Sequence, residues 1–84
     1  MQRMTGVVVS VYLSKGFAFV RGLDDGLSRF VYAKEVQPIS AFDTMHEGQK
    51  VSFVPSGELD SSPDAKNNGL RGLQVRIEND SLHA

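Results

Sequence analysis

Between Lys15 and Arg21 the chain reads Lys-Gly-Phe-Ala-Phe-Val-Arg, two rings set one residue apart and bracketed by cations. Side chains of an extended strand alternate between faces. Lys15, Phe17, Phe19 and Arg21 then share one face, and Gly16, Ala18 and Val20 share the other. Small residues suit a narrow barrel interior, while rings between cations suit unstacked bases with phosphates close by. The competing arrangement turns Phe17 and Phe19 into the core, where aromatic residues usually lie, and leaves the cations at the strand ends.

A second stretch, Ser28 to Ala33, repeats the pattern, with Phe30 and Tyr32 on one parity and Val31 and Ala33 on the other. Cross-strand neighbours lie about 5 Å apart. Pairing this stretch with Phe17 and Phe19 therefore assembles a cluster of rings. One small barrel cannot enclose all of them together with the valines.

Other constellations carry less. Asp24 and Asp25 are paired carboxylates, but they sit in Gly22-Leu23-Asp24-Asp25-Gly26, a tight reversal in which neighbours do not converge on one substrate atom. His46 beside Glu47 has no second histidine near it in sequence and reads as a surface residue, not a metal ligand. The chain has two histidines and no cysteine. Disulfides and thiolate sites are excluded, and no spacing groups a nucleophile with a base. A non-enzyme without metal or cofactor is expected.

Eighty-four residues, 40% of them hydrophobic and 23% charged, suit a single domain over 1–84, with a core from about 5 to 78 and a short tail over 79–84. No run approaches membrane-spanning length, so a cytoplasmic protein without a membrane partner is expected. The net charge of −1 is the informative number. Proteins that hold duplex DNA by phosphate neutralisation are usually basic. Any nucleic-acid binding here has to lean on stacking more than on counterion release.

The positioning elements follow in order. Val7 to Leu13 is a β-branched strand whose odd positions are apolar, so its odd face is expected to be buried. Ser14 and Lys15 turn into the Lys15–Arg21 strand. Lys34-Glu35-Val36 suits a single helical turn ahead of Pro38, and Ile39 to Thr44 reads as a loop. Val51 and Phe53 alternate with Ser52 and Val54 in a fourth strand. Pro55 to Gly69 is a long polar loop. Leu70 to Glu78 closes the sheet, with Leu73, Val75 and Ile77 on one face and Gln74, Arg76 and Glu78 on the other. Five strands, no long helix and glycine-bearing turns indicate an all-β fold, a small closed antiparallel barrel.

Several of these passages resemble the cold-shock domain family in its bacterial form. Lys15 to Val20 resembles that family's first ribonucleoprotein motif, Lys-Gly-Phe-Gly-Phe-Ile or Val, and differs only at Ala18. The RNA-recognition motif carries a similar string, but it needs a strand and a helix ahead of it, and only fourteen residues precede Lys15. Phe30 to Tyr32 is similar to the second motif, Val-Phe-Val-His-Phe: Phe30 matches a stacking phenylalanine, Tyr32 replaces the histidine and Ala33 the second phenylalanine. Glu47 to Phe53 resembles the family's lead-in to its fourth strand. The family opens Thr-Gly-Val-Val-Lys-Trp-Phe-Asn, and the spacing from Thr5-Gly6 to Lys15-Gly16-Phe17 is the same. In that register Ser10 replaces the tryptophan, the family's largest stacking residue, and Tyr12 stands two residues on as its partial substitute. Phe42 stands where the family places one more exposed aromatic, and could equally plug one end of the barrel.

The resemblance runs from about Thr5 to Ile77 and implies a five-stranded OB-fold that binds single-stranded RNA or DNA with low sequence specificity. Such proteins act as nucleic-acid chaperones, and some influence transcription or translation. By this likeness Phe17, Phe19, Phe30 and Tyr32 stack on bases, helped by Tyr12 and Phe42. Lys15 and Arg21 approach the phosphates, with Arg29, Lys66 and Arg71 as further candidates. With the tryptophan replaced, about micromolar binding is expected. A monomer or weak homodimer without a small-molecule substrate completes the expectation. The alternative from another class keeps the barrel but docks a polypeptide on the depleted face, as exposed apolar patches often do.

Overall fold

The structure, a computed structural model, describes residues 3–57 and 70–78. Runs of β-branched and aromatic residues between turn-formers make five strands: β1 (Met4–Tyr12), β2 (Phe17–Gly22), β3 (Ser28–Tyr32), β4 (Lys50–Ser56) and β5 (Arg71–Ile77). They close into a barrel in the order β1-β2-β3-β5-β4, the small all-β OB-fold barrel that the sequence indicates. The expectation of a purely antiparallel barrel is corrected: β3 and β5 run parallel where Phe30 meets Arg71. An odd number of strands cannot alternate direction all the way round a closed ring. One parallel pair is therefore obligatory.

The interior is narrow. Ala18, Val20, Val31, Val51 and Val75 are fully enclosed, and Phe53 is the largest side chain among the enclosed set. Space for that ring comes from Gly6, where a Cβ would stand 2.8 Å from Phe53 Cε2 and 2.5 Å from the Arg21 carbonyl oxygen. Phe42 is the second enclosed ring, at 4% exposure. It enters the core from Ile39–Thr44, with Met45 just past its end, and that segment is a 3-10 helix and not the irregular loop expected. Bonds from Ala41 N–H to the Pro38 carbonyl (2.9 Å) and from Met45 N–H to the Phe42 carbonyl (3.1 Å) hold this helix. Phe42 thus plugs the barrel, which corrects its place among the exposed, nucleic-acid-facing residues.

Two irregularities overturn the simple face assignments. On β1 the buried residues are Gly6 and Val8, even positions, so the expected odd-face burial is wrong for the first half of the strand. Pairing then slips between Val8 and Ser10: Val8 lies opposite Val20, yet Ser10 lies opposite Phe19. The extra residue, Val9, is a β-bulge, and a bulge resets alternation. Beyond it Val11 packs against the core and Tyr12 faces out. On β5 the break is Gln74, whose φ of 49° is left-handed. Gly72 and Val75 are both buried although they differ in parity, so Arg71 and Val75 are not on one face.

Hydrogen bonds stitch that second break. Gln74 N–H donates to Glu35 Oε1 (3.1 Å), and its carbonyl accepts from Arg3 Nη2 (2.6 Å). The same Arg3 group donates to the carbonyl and hydroxyl oxygens of Ser52, both at 3.0 Å, where the β4–β5 register shifts. A left-handed non-glycine residue costs about 1–2 kcal/mol, and the two charge-assisted bonds to Gln74, one at its N–H and one at its carbonyl, offset it.

Element boundaries also move. β2 starts at Phe17, because Leu13–Lys15 forms a 3-10 turn that Gly16 ends in the left-handed region (φ 78°). The turn near Lys34 spans Ala33–Glu35. Pro55 and Ser56 belong to β4, paired with Gly72 and Arg71, rather than to the loop. Lys66, like the tail after Glu78, lies outside the described residues.

Arg29 is assigned otherwise than expected. It is 5% exposed, its guanidinium 5.5 Å from the Phe53 ring centroid, and it forms a two-pronged pair with Asp25 (Nη2–Oδ2 2.7 Å, Nη1–Oδ1 3.2 Å). Asp25 Oδ1 also accepts from Leu27 N–H at 3.0 Å. Arg29 therefore closes the barrel instead of approaching phosphates, and Asp25 is its counter-ion rather than half of a catalytic pair. The hydrogen bonds from Arg29 hold the Asp25 carboxyl down at about 2, below the ordinary 3.8.

A depressed carboxylate stabilises the fold fully above the ordinary value and ceases to do so as pH falls through the folded-state value. Asp25→Asn should cost about 1 kcal/mol at pH 7, because solvent around the exposed Asp25 carboxylate screens much of its attraction to Arg29. Urea midpoints measured from neutral pH downward should show this difference intact at pH 5 and vanishing as pH approaches about 2.

Candidate nucleic-acid interface

The register sets the outward side chains in rows across β1, β2 and β3. One row is Tyr12, Phe17 and Tyr32; the next is Ser10, Phe19 and Phe30, continued on β5 by Arg71; a third is Val7, Arg21 and Ser28. The Val9 bulge is what brings Tyr12 into the first row. Without it Tyr12 would share the parity of Gly6 and Val8 and point inward.

These rows make one continuous ring cluster. Phe17 and Phe30 stack at 4.9 Å between centroids, 29° apart. Phe19 meets Phe17 at 5.8 Å and Phe30 at 5.5 Å, edge-on in both cases. Tyr32 meets Phe30 edge-on at 4.6 Å, and Tyr12 lies 5.0 Å from Phe17. Tyr12 also reaches edge-on to Phe19 at 6.3 Å, across the gap that Ser10 leaves. Centroid separations of this kind are mutually attractive for rings. The tyrosines are the exposed rim, 43% for Tyr12 and 47% for Tyr32, while Phe17, Phe19 and Phe30 are half-buried by one another.

No protein-family model matches the sequence, and no curated protein does.

Phe17, Phe19, Phe30, Tyr32 and Tyr12 are brought together. Phe42 is not, being in the core. Arg21 is exposed in the row beside Phe19, whereas Lys15 is exposed on the turn before β2 and not in line with the rings on that strand. The sequence reading missed Lys34, whose Nζ lies 5.6 Å from the Tyr32 centroid, and it named Arg71 only as a further phosphate candidate, whereas its Cζ lies 5.3 Å from the Phe30 centroid. Lys34 had a usable signal, two residues beyond an outward ring. The place of Arg71 over Phe30 had none, because it depends on the parallel β3–β5 pairing.

The nearest carboxylate in sequence, Glu35, is turned to the Gln74 N–H. A small β-barrel with cations bordering a surface ring cluster is compatible with nucleic-acid binding. Elsewhere, a depression of about 560 Å³ lined by Val7, His46, Gln49, Ile77 and Glu78 holds none of the rings. Among the described residues no three His, Asp or Glu side chains converge as a metal site needs, and no helix is long and apolar enough to cross a membrane.

Rings outside the barrel should matter little to its stability. Phe19→Ala and Phe30→Ala should each cost no more than about 1.5 kcal/mol, whereas Phe53→Ala should cost about 3–5 kcal/mol. Chemical denaturation of the variants ranks them directly.

Proposed function

We propose that the protein binds single-stranded RNA or DNA on this face, in the manner of the cold-shock domains it resembles. The observation that supports it is the unbroken cluster of rings standing outside a barrel whose interior is already full. Every base has a π-face, so stacking accepts all sequences and contributes about 1–3 kcal/mol per base. Phe17 and Phe30 hide faces against each other, which leaves Tyr12, Phe19 and Tyr32 as the better-presented rings. Arg21, Lys34 and Arg71 supply charge at the border, which the net charge of −1 does not supply elsewhere. The protein makes and breaks no bond; it shifts strand-pairing equilibria by holding bases unpaired, the work of a nucleic-acid chaperone.

A second reading, a polypeptide-docking barrel, is favoured by one feature: Ser10 leaves a gap in the ring row where a large stacking residue would otherwise stand.

Titrating a labelled oligonucleotide of about seven bases separates the two readings. Native protein should bind at about micromolar strength, and Phe19→Ala and Tyr32→Ala should each weaken binding about tenfold or more. Ser10→Trp, filling the gap beside Phe19, should tighten it about tenfold. Unchanged affinity in both alanine variants removes the stacking mechanism.

A further inference from the structure

Arg71 has a geometry that simple phosphate attraction does not use. It opens β5 directly opposite Phe30, and the Gln74 break turns it outward, away from the buried Val75 side. Its guanidinium lies over the Phe30 ring with Cζ 5.3 Å from the centroid, while Nη1 donates to the Leu70 carbonyl at 3.2 Å. Those contacts fix the plane before a ligand arrives. Lys34, over Tyr32 at 5.6 Å, offers only a point charge. A guanidinium carries five N–H donors in a fixed fork, and with one engaged at Leu70 the fork keeps donors to offer.

The rings beside Phe30 complete the arrangement. Tyr32 is 4.6 Å and Phe19 5.5 Å from Phe30, centroid to centroid. A base stacked on either ring therefore brings its edge up to the guanidinium that covers Phe30. Guanine presents the acceptors O6 and N7 side by side, matching two parallel N–H donors, whereas adenine pairs an acceptor with a donor. We infer that Arg71 makes this otherwise sequence-tolerant face prefer a guanine at one position of the bound strand. This inference rests on the single-strand binding proposed above.

The test compares heptamers of thymidine carrying a single central guanine, adenine or cytosine, titrated at one salt concentration. Native protein should bind the guanine strand about tenfold tighter than all-thymidine. Arg71→Lys keeps the charge and removes the fork, so the ratio of guanine-strand to all-thymidine affinity should fall to about one. Lys34→Ala should weaken every strand equally and lower the salt slope by about one. Each result is a ratio between strands on the same protein, so a folding defect alone cannot create or erase it. No guanine preference in native protein, or an unchanged preference in Arg71→Lys, overturns the inference while single-strand binding stands. Absence of binding to every strand overturns both.

Discussion

The volume inside the barrel governs everything outside it. Phe53 and the Arg21 carbonyl crowd Gly6 so closely that it must do without a side chain, and Phe42 closes the core from the connecting 3-10 helix. With these rings inside, Phe17, Phe19 and Phe30 have nowhere to go but the outer surface, although burial is the usual fate of phenylalanine. Their exposure is a packing consequence. The valines and Ala18 on the opposite parity of β2 and β3 are the matching half of the same constraint.

What was legible in the sequence is what simple alternation governs. β2 and β3 are short, regular strands, so Phe17, Phe19, Phe30 and Tyr32 could be assigned a common face from parity alone, and that face is the one observed. β1 and β5 were not legible in the same way. Val9 and Gln74 each shift the register by one step, and nothing in a row of valines or in Leu-Gln-Val announces a bulge. Ser10 and Tyr12 interrupt the even parity of β1, which pointed to the odd face, whereas Gly6 and Val8 are the buried pair. What selects the bulge is long-range: Gln74 is held by Arg3 and Glu35, residues far from it in sequence. Arg29 failed for a related reason. A cation beside an exposed ring looks available until Asp25, four residues earlier, is seen to hold it over Phe53.

The two bulges also explain why the ring face extends beyond two strands. Regular alternation would send Tyr12 inward with Val8, and Arg71 inward with Val75. Each break turns one side chain out, so β1 contributes a ring on one side and β5 a guanidinium on the other. Irregularities in strands are often where a sheet is adapted to a ligand. Here they widen the platform by means of one extra residue in each of the two strands.

The rings rest against one another, and this matters for what binding would require. Phe17 stacked on Phe30, with Phe19 and Tyr32 edge-on, is a set of mutual contacts that restrains each side chain before any base arrives. Restraint lowers the ordering entropy that a ligand must overcome. It also removes apolar surface that a base would otherwise cover, so each contact is worth less. A chain with few cations to spare gains on balance from the first effect, because it cannot lean on counterion release to overcome loose rings. The remaining weak point is Ser10, where Tyr12 leans across an empty place to reach Phe19. A side chain that spans a gap from the neighbouring row is held less firmly than one packed within its own, so Tyr12 would be the first ring of the platform to shift under any ligand laid across it.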